Sequence, residues 1–362
     1  MNGLAAGPDS SWLVSAGRDG TVRIWGVEEG TSRAVLTGHD GVVLDCAIAP
    51  DGNWLVSAGA DGTLRIYPIK VDKVCRRWIW SPAAETADPV DDAVAETEAS
   101  PAAGPPAGLV LTGHRGAVNA CAVTVDGERV VSVGEDGQLR LWDAHSGAAE
   151  LVVRVSAGQL LCCAVGPDGD WVAVAGDDGM IRILGIGDGR LLHRMAGHRG
   201  SVLALAVAPG GDWLASAGED GTIRCWDTRT GRQTRVLSTG GRPVRDCAVA
   251  SDGRWLVTVG ADVVRLWDLP EGTQRAELTG AIGSRSCVVA PDGSWIASAG
   301  RYGDIQLWAT GTDLPGHTVT GRNEGMRGCA VLLPKGAAQG DPAGAGGLVV
   351  SCGEDGTATA WD

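Results

Sequence analysis

The chain has 362 residues, 44% of them hydrophobic, with 56 Gly, 14 Trp and no Phe, which is enough apolar material for a substantial core. Its formal net charge of −14 argues against general binding to nucleic acid or to an anionic membrane, because such affinity comes from a basic surface. No apolar run is long enough to span a bilayer, and the first eight residues have neither the basic n-region nor the apolar h-region of a secretory leader.

The first predicted hairpin is Ser-Trp-Leu-Val-Ser-Ala-Gly-Arg-Asp-Gly-Thr-Val-Arg-Ile-Trp, residues 11–25. The same phrase returns almost unchanged at residues 53–67, with Tyr67 in place of the final Trp. The rhythm is then interrupted by two unlike stretches. Arg76-Arg77-Trp78-Ile79-Trp80 is basic and aromatic; it reads as an outer strand with packed tryptophans, or as a docking motif. Ser81–Gly108 is rich in Ala, Pro, Glu and Asp with almost no large apolar residue. Such a composition cannot offset its ordering entropy, so disorder is expected there.

Beyond the insertion the phrase recurs with endings at Trp142, Leu184, Trp226, Trp267, Trp308 and Trp361. The turn aspartates Asp136, Asp178, Asp220 and Asp262 follow one another at an interval of 42 residues. Residues 197–238 show what one unit contains. An apolar run from Ser201 to Ala208 ends at Pro209-Gly210-Gly211, which breaks a strand. Trp213–Gly218 and Thr222–Trp226 flank Glu219-Asp220-Gly221, and Asp-Gly supports the positive φ that a tight hairpin needs. Gln233–Leu237 supplies a fourth, outer strand. In the last unit a Gly/Ala-rich stretch, Lys335–Gly347, separates the first two predicted strands and reads as a flexible loop.

A period in the low forties with four short strands per unit predicts an all-β chain folded as a β-propeller. No unit can bury its own faces, so the whole chain, 1–362, is expected to form one domain. Eight hairpins predict eight blades of four-stranded antiparallel sheet. Seven blades plus a partial unit is the alternative, and a fragment of a longer chain is a third reading. The last unit stops at Trp361-Asp362, after its third strand. Two turns depart from pattern: Val263 follows Asp262, and Tyr302-Gly303 replaces Asp-Gly.

Gly197-His198, Asp220-Gly221 and Trp226-Asp227, recurring in register, resemble the WD-repeat family along nearly the whole chain. That resemblance implies a network of His, Ser, turn Asp and Trp that braces each blade. Carried over, the network is His198, Ser216, Asp220 and Trp226 in one unit and His114, Ser132, Asp136 and Trp142 in another. A third unit has His39, Ser57 and Asp61, with Tyr67 at the Trp position. The remaining units lack the His. The repeats most resemble bacterial WD-repeat propellers, which often form C-terminal partner-sensing parts of large signalling ATPases and kinases. No kinase or ATPase part accompanies them here, which leaves a scaffold or a detached sensor.

Isolated His, Ser and Asp residues would suggest a hydrolase. A catalytic site occurs once, whereas these recur at one structural address, so they read as scaffold. No phosphate-cradling G-x-x-x-x-G-K-[ST], G-x-S-x-G elbow or H-E-x-x-H occurs in the sequence. No enzyme activity, cofactor or metal is therefore expected; His145, His193 and His317 read as solvated residues. Cys46, Cys121, Cys163, Cys247, Cys287 and Cys329 share a slot that Leu205 fills in another unit. A slot open to Cys and Leu is apolar core, so reduced thiols and a cytoplasmic location are expected. Trp12, Trp54, Trp171, Trp213, Trp255 and Trp295 start the second strands. They read as packing between units or, alternatively, as a lectin-like ring of ligand sites.

The expected function is non-catalytic binding of a protein or peptide partner, with no nucleic acid and no membrane. The alternative is a lectin-like or enzymatic propeller with a ligand site at its central channel. The residues before the turn aspartates, and those near the starts of the first strands, give the candidate partner face. It carries Arg18, Glu135, Asp177, Glu219, Arg245, Arg285, Arg301 and Arg327, acids in the middle units and arginines late. Asp45 and Asp246, just before the cysteine slot, are expected on the same face.

Overall fold

The computed structural model describes residues 3–6, 8, 12–26, 31–69, 108–260, 263–269, 271–279, 286–289, 295–299, 304–309, 317–320, 328–332, 348–352 and 358–361. Every regular element among them is a β-strand. In chain order the strands form sheet 1 (3–36), sheet 2 (43–112), sheet 3 (118–154), sheet 4 (160–196), sheet 5 (202–238), sheet 6 (246–279), sheet 7 (286–320) and sheet 8 (328–361). Sheets 1 to 7 have four strands, each hydrogen-bonded to the next in sequence; sheet 8 has three among the described residues. The first strands touch one another in order, 1 to 2 through 7 to 8, and the first strand of sheet 8 also touches that of sheet 1.

The meander follows from its turns. Between the second and third strands sit Asp61-Gly62, Asp136-Gly137 and Asp220-Gly221, with glycine φ of 79°, 69° and 72°. The left-handed φ is the first requirement for glycine there. The second is the neighbouring sheet. A Cβ on Gly62 would sit 2.9 Å from the Gly116 carbonyl oxygen, in the loop that leads into sheet 3. Each such turn is therefore seated against the chain entering the next sheet, and the hairpins lock neighbouring sheets as well as closing themselves.

Burial peaks at the second strand of each sheet and falls outward from there, the first strands being only partly buried. The second strands Trp54–Gly59, Trp171–Gly176 and Trp255–Gly260 are buried at every residue. They are flanked by strands on both edges and by sheets on both faces, so continuous apolar sequence is what they require. The third strands alternate, as in Thr222–Asp227, and the fourth strands, such as Ala149–Arg154, are largely exposed. Pairing of third with fourth strand slips by one residue just before Trp25, Trp142, Trp226 and Trp267, and before Leu184 in sheet 4. Such a bulge re-aims the side chain at that point.

One expectation is corrected. The fourth strand of sheet 2 is Leu109–Thr112, paired with Thr63–Pro68, and not the Arg76–Trp80 segment. Leu109–Thr112 follows the insertion and has the register of the other fourth strands, with Val110 opposite Arg65. Residues 76–80, the insertion Ser81–Gly108 up to residue 107, the loop Lys335–Gly347, Asp262 and Tyr302-Gly303 lie outside the described residues.

Candidate functional site

The recurring polar residues meet where a loop into a first strand crosses the hairpin of the same sheet. In sheet 5, His198 Nδ1 lies 3.0 Å from Asp220 Oδ1, and Nε2 lies 2.8 Å from Ser216 Oγ. Trp226 Nε1 donates to Ser216 Oγ at 2.9 Å. Sheet 3 repeats the arrangement: His114 Nδ1 is 3.0 Å from Asp136, Nε2 is 2.8 Å from Ser132 Oγ, and Trp142 donates to that oxygen at 2.9 Å. In sheet 2, His39 is 2.9 Å from Asp61 Oδ2 and 2.7 Å from Ser57 Oγ. Tyr67 there occupies the register position of the Trp, opposite Leu55.

The protons can be assigned. Burial lowers the pKa of His39, His114 and His198 below the ordinary imidazole value, although the aspartate partners pull the other way. Burial of Asp61, Asp136 and Asp220 works upward but is outweighed by hydrogen bonds, so these carboxylates titrate below their usual range. In sheet 5 those bonds come from Arg199 N, Thr222 N and Thr222 Oγ1. A neutral imidazole beside a carboxylate donates Nδ1–H to it. Nε2 is then an acceptor, and the serine hydroxyl donates to it while accepting from Trp.

This is the order of groups that activates a serine nucleophile. The packing withholds the chemistry. Ser57, Ser132 and Ser216 are each 0% exposed, so no substrate can approach the oxygen. In sheets 3 and 5 that oxygen also accepts from a buried indole. Among the described residues no group of His, Cys, Asp or Glu could hold a metal ion.

Four of the tryptophans that start the second strands have described side chains, and all four pack against the following sheet. Trp54, Trp171 and Trp255 are buried, each in a cluster with residues of the following sheet: Trp54 with Val118 and Trp142, Trp171 with Leu214 and Trp226, Trp255 with Cys287 and Ile296. Trp213 is partly buried against the cluster that holds Leu256 and Trp267. These four rings are not laid open as ligand platforms. The slot cysteines Cys46, Cys121, Cys247 and Cys287 are buried free thiols. Burial pushes Cys162 up to about 12 and Cys225 up to about 11, which leaves both as unreactive thiols near neutrality.

The candidate face residues divide. Glu135, Asp177 and Glu219 are exposed, but each carboxylate also accepts from a backbone N–H at the start of its own first strand: Ala117, Gln159 and Ser201 respectively. They cap the chain as well as charging the surface. Arg18 and Arg245 are exposed; Arg285, Arg301 and Arg327 lie outside the described residues. Asp45 and Asp246 are different from what sequence grouping suggested. Asp45 accepts from its neighbour Cys46 N at 2.9 Å and from Cys121 N, in the next first strand, at 2.9 Å. Asp246 does the same with Cys247 N and Cys287 N. They staple adjacent first strands, as Asn119 does by donating to the Leu160 carbonyl. Sequence reading missed this role, because the first strands' edge groups are brought together by the ring and not by any local pattern.

The family profile of the WD domain, G-beta repeat, matches residues 1–26, 30–67, 108–143, 152–183, 189–227, 231–268 and 272–309. The chain belongs to the WD40 repeat family. The matched segments are seven in number and span most of sheets 1 to 7. WD40 domains commonly mediate protein–protein interactions and are typically non-catalytic, in keeping with the sealed serines. No curated protein matches the chain.

Proposed function

We propose that this WD40 chain is a non-catalytic scaffold or partner-sensing module. It binds a protein or peptide through the face built by the second-to-third-strand turns and the starts of the first strands. One observation carries the reading. The groups capable of chemistry are consumed by a buried, repeated network, while the exposed residues beside that network change charge from sheet to sheet. Sheets 3, 4 and 5 present Glu135, Asp177 and Glu219, and sheet 6 presents Arg245. A face divided by sign orients a partner of opposite division and speeds its encounter.

We take the frame of that face to be a ring of eight blades. The contact between the first strands of sheets 1 and 8 supports this count. We also take the cytoplasm as its location, a reading supported by the free thiols among the described residues.

The test is affinity capture followed by mass spectrometry, with wild type compared against E135K/D177K/E219K and R245E at two salt concentrations. The variants are expected to lose the partners that wild type holds at low salt, with unchanged circular dichroism. Unchanged capture and unchanged salt dependence in folded variants would overturn the assignment of the face.

A further inference from the structure

A cavity of about 460 Å³ opens between the fourth strand of sheet 3 and the third and fourth strands of sheet 4. Its size is that of small-molecule sites. Four departures from the repeat meet at this place. Ser156 stands where other sheets have the network histidine; its Oγ donates to Asp178 Oδ2 at 3.0 Å across the same interval of 22 residues. Leu184 stands opposite Val172 where Trp142 stands opposite Val130 and Trp226 opposite Leu214. Imidazole and indole are both replaced by smaller side chains, and the cavity lies beside the replacements.

The other two departures add charge. The repeat has an arginine four residues after most turn aspartates, and its partner on the fourth strand is Val35, Val110, Val152 or Val236 in sheets 1, 2, 3 and 5. In sheet 6 it is Glu277, which pairs with Arg265 at 3.0 Å. In sheet 4 it is a second arginine: Arg194 lies directly opposite Arg182. Like charges opposed in this way destabilise a sheet. The last position of the neighbouring fourth strand is Arg154, where other sheets have Thr112, Ala196, Ser238 or Thr279 in the same register. All three arginines line the cavity.

Their charges are unequally compensated. Arg182 is buried, and its guanidinium holds Asp178 with two contacts, 2.6 and 3.3 Å. Arg140, its counterpart in sheet 3, lies over the Trp142 ring at 5.5 Å, whereas Arg182 holds the turn aspartate, as Arg23 holds Asp19 in sheet 1 at 2.8 Å. Arg154 and Arg194 have no carboxylate partner among the described residues. The cavity thus carries a surplus of two positive charges on a chain whose net charge is −14. Val153, Val155 and Leu191 supply an apolar wall.

We propose that this cavity is a binding site for a small organic dianion, two negative charges on an apolar body. Arg154 and Arg194 meet the charges, Arg182 is held in place by Asp178, and the valines and leucines take the body. Guanidinium forks suit the oxygens of a phosphate monoester or of a dicarboxylate equally.

Isothermal titration calorimetry on the full chain tests this with phenyl phosphate, phthalate, inorganic phosphate and benzoate. The variants are R194V and R154A, which install residue types the repeat itself uses at those registers, with melting curves to verify folding. Saturable binding of phenyl phosphate or phthalate is expected, weakened about tenfold or more in each variant; which of the two binds identifies the head group. Benzoate, with one charge, should bind more weakly than phthalate, and inorganic phosphate more weakly than phenyl phosphate. Absence of saturable binding by both dianions, equal binding of benzoate, or wild-type affinity in folded R194V would each overturn the proposal.

Discussion

Replacing Ser216 by Ala removes one oxygen and strands two buried partners. Trp226 Nε1 donates to that oxygen at 2.9 Å, and His198 Nε2 faces it at 2.8 Å. Ser216 is 0% exposed and Trp226 1%, so neither partner can turn to water, and the volume of a hydroxyl is too small to admit a water molecule in its place. A buried polar group left without a partner costs about 1–3 kcal/mol. Two such groups, partly relaxed by a shift of the indole, give an expected loss of about 2–4 kcal/mol. In a chain of this size that corresponds to a melting midpoint lower by roughly 3–5 °C, provided the ring melts as one unit. Amide hydrogen exchange should locate the damage, with protection lost first in the loop at His198 and in the Glu219–Gly221 turn. The conservative variant S216T keeps a hydroxyl. Thr258 already accepts from Trp267 Nε1 at 3.0 Å in sheet 6, so this variant should retain at least half of the lost stability. Ser132→Ala in sheet 3 should match S216A, since the two networks have the same distances within 0.1 Å. A stability for S216A within about 0.5 kcal/mol of wild type, or a loss not restored by S216T, would refute the view that the network braces the sheet.

Two further outcomes follow from the same geometry. Gly62→Ala should cost at least about 1–2 kcal/mol, because φ is 79° and the new Cβ would press on the Gly116 carbonyl at 2.9 Å; a neutral effect by chemical denaturation would show that the turns do not lock neighbouring sheets. The pH profile has two opposing parts. His39, His114 and His198 titrate below 6.5 when folded, so the unfolded chain binds the extra protons, and stability falls as pH drops below about 6.5. Asp61, Asp136 and Asp220, also depressed, add stability that is lost further down as pH falls through their folded values. Asp45 has the reverse sign: burial raises it to about 6, the folded state holds its proton between 3.8 and 6, and acidification there relieves a cost. Melting midpoints should therefore decline from pH 7 to 5, more steeply in Asp45→Asn; a midpoint that climbs toward pH 5 would contradict the histidine assignment.

The repeat made much of this readable in advance. Recurrent Asp-Gly placed the second-to-third-strand turns, and the shared Cys and Leu slot marked the core face of the first strands. The family resemblance pointed to the His, Ser, Asp and Trp of sheets 3 and 5, and these lie within hydrogen-bond distance of one another. What stayed hidden depends on contacts between units. Asp45 reaches Cys121 N, 76 residues away, and no local pattern distinguishes such an aspartate from a surface charge. The outer strand of sheet 2 was misplaced because the basic, aromatic 76–80 segment has stronger strand propensity than Leu109–Thr112. Register with Arg65, absent from any local window, decides for the latter.

The dianion cavity was hidden for a different reason. Ser156, Leu184 and Arg194 are each visible as odd residues in an alignment of the units, yet counting alone does not put Arg194 opposite Arg182. The bulge between Ile183 and Leu184 shifts the pairing with the fourth strand by one residue, and Arg154 belongs to the preceding unit altogether. A repeat protein gains stability from each unit that obeys the pattern, and sheet 4 gives up an imidazole–indole network while opposing two arginines. Those losses fall on one cavity and leave it with two uncompensated charges. Neighbouring sheets 3 and 5, with intact networks, can carry the cost, which is how a ring of similar blades can keep one of them for binding.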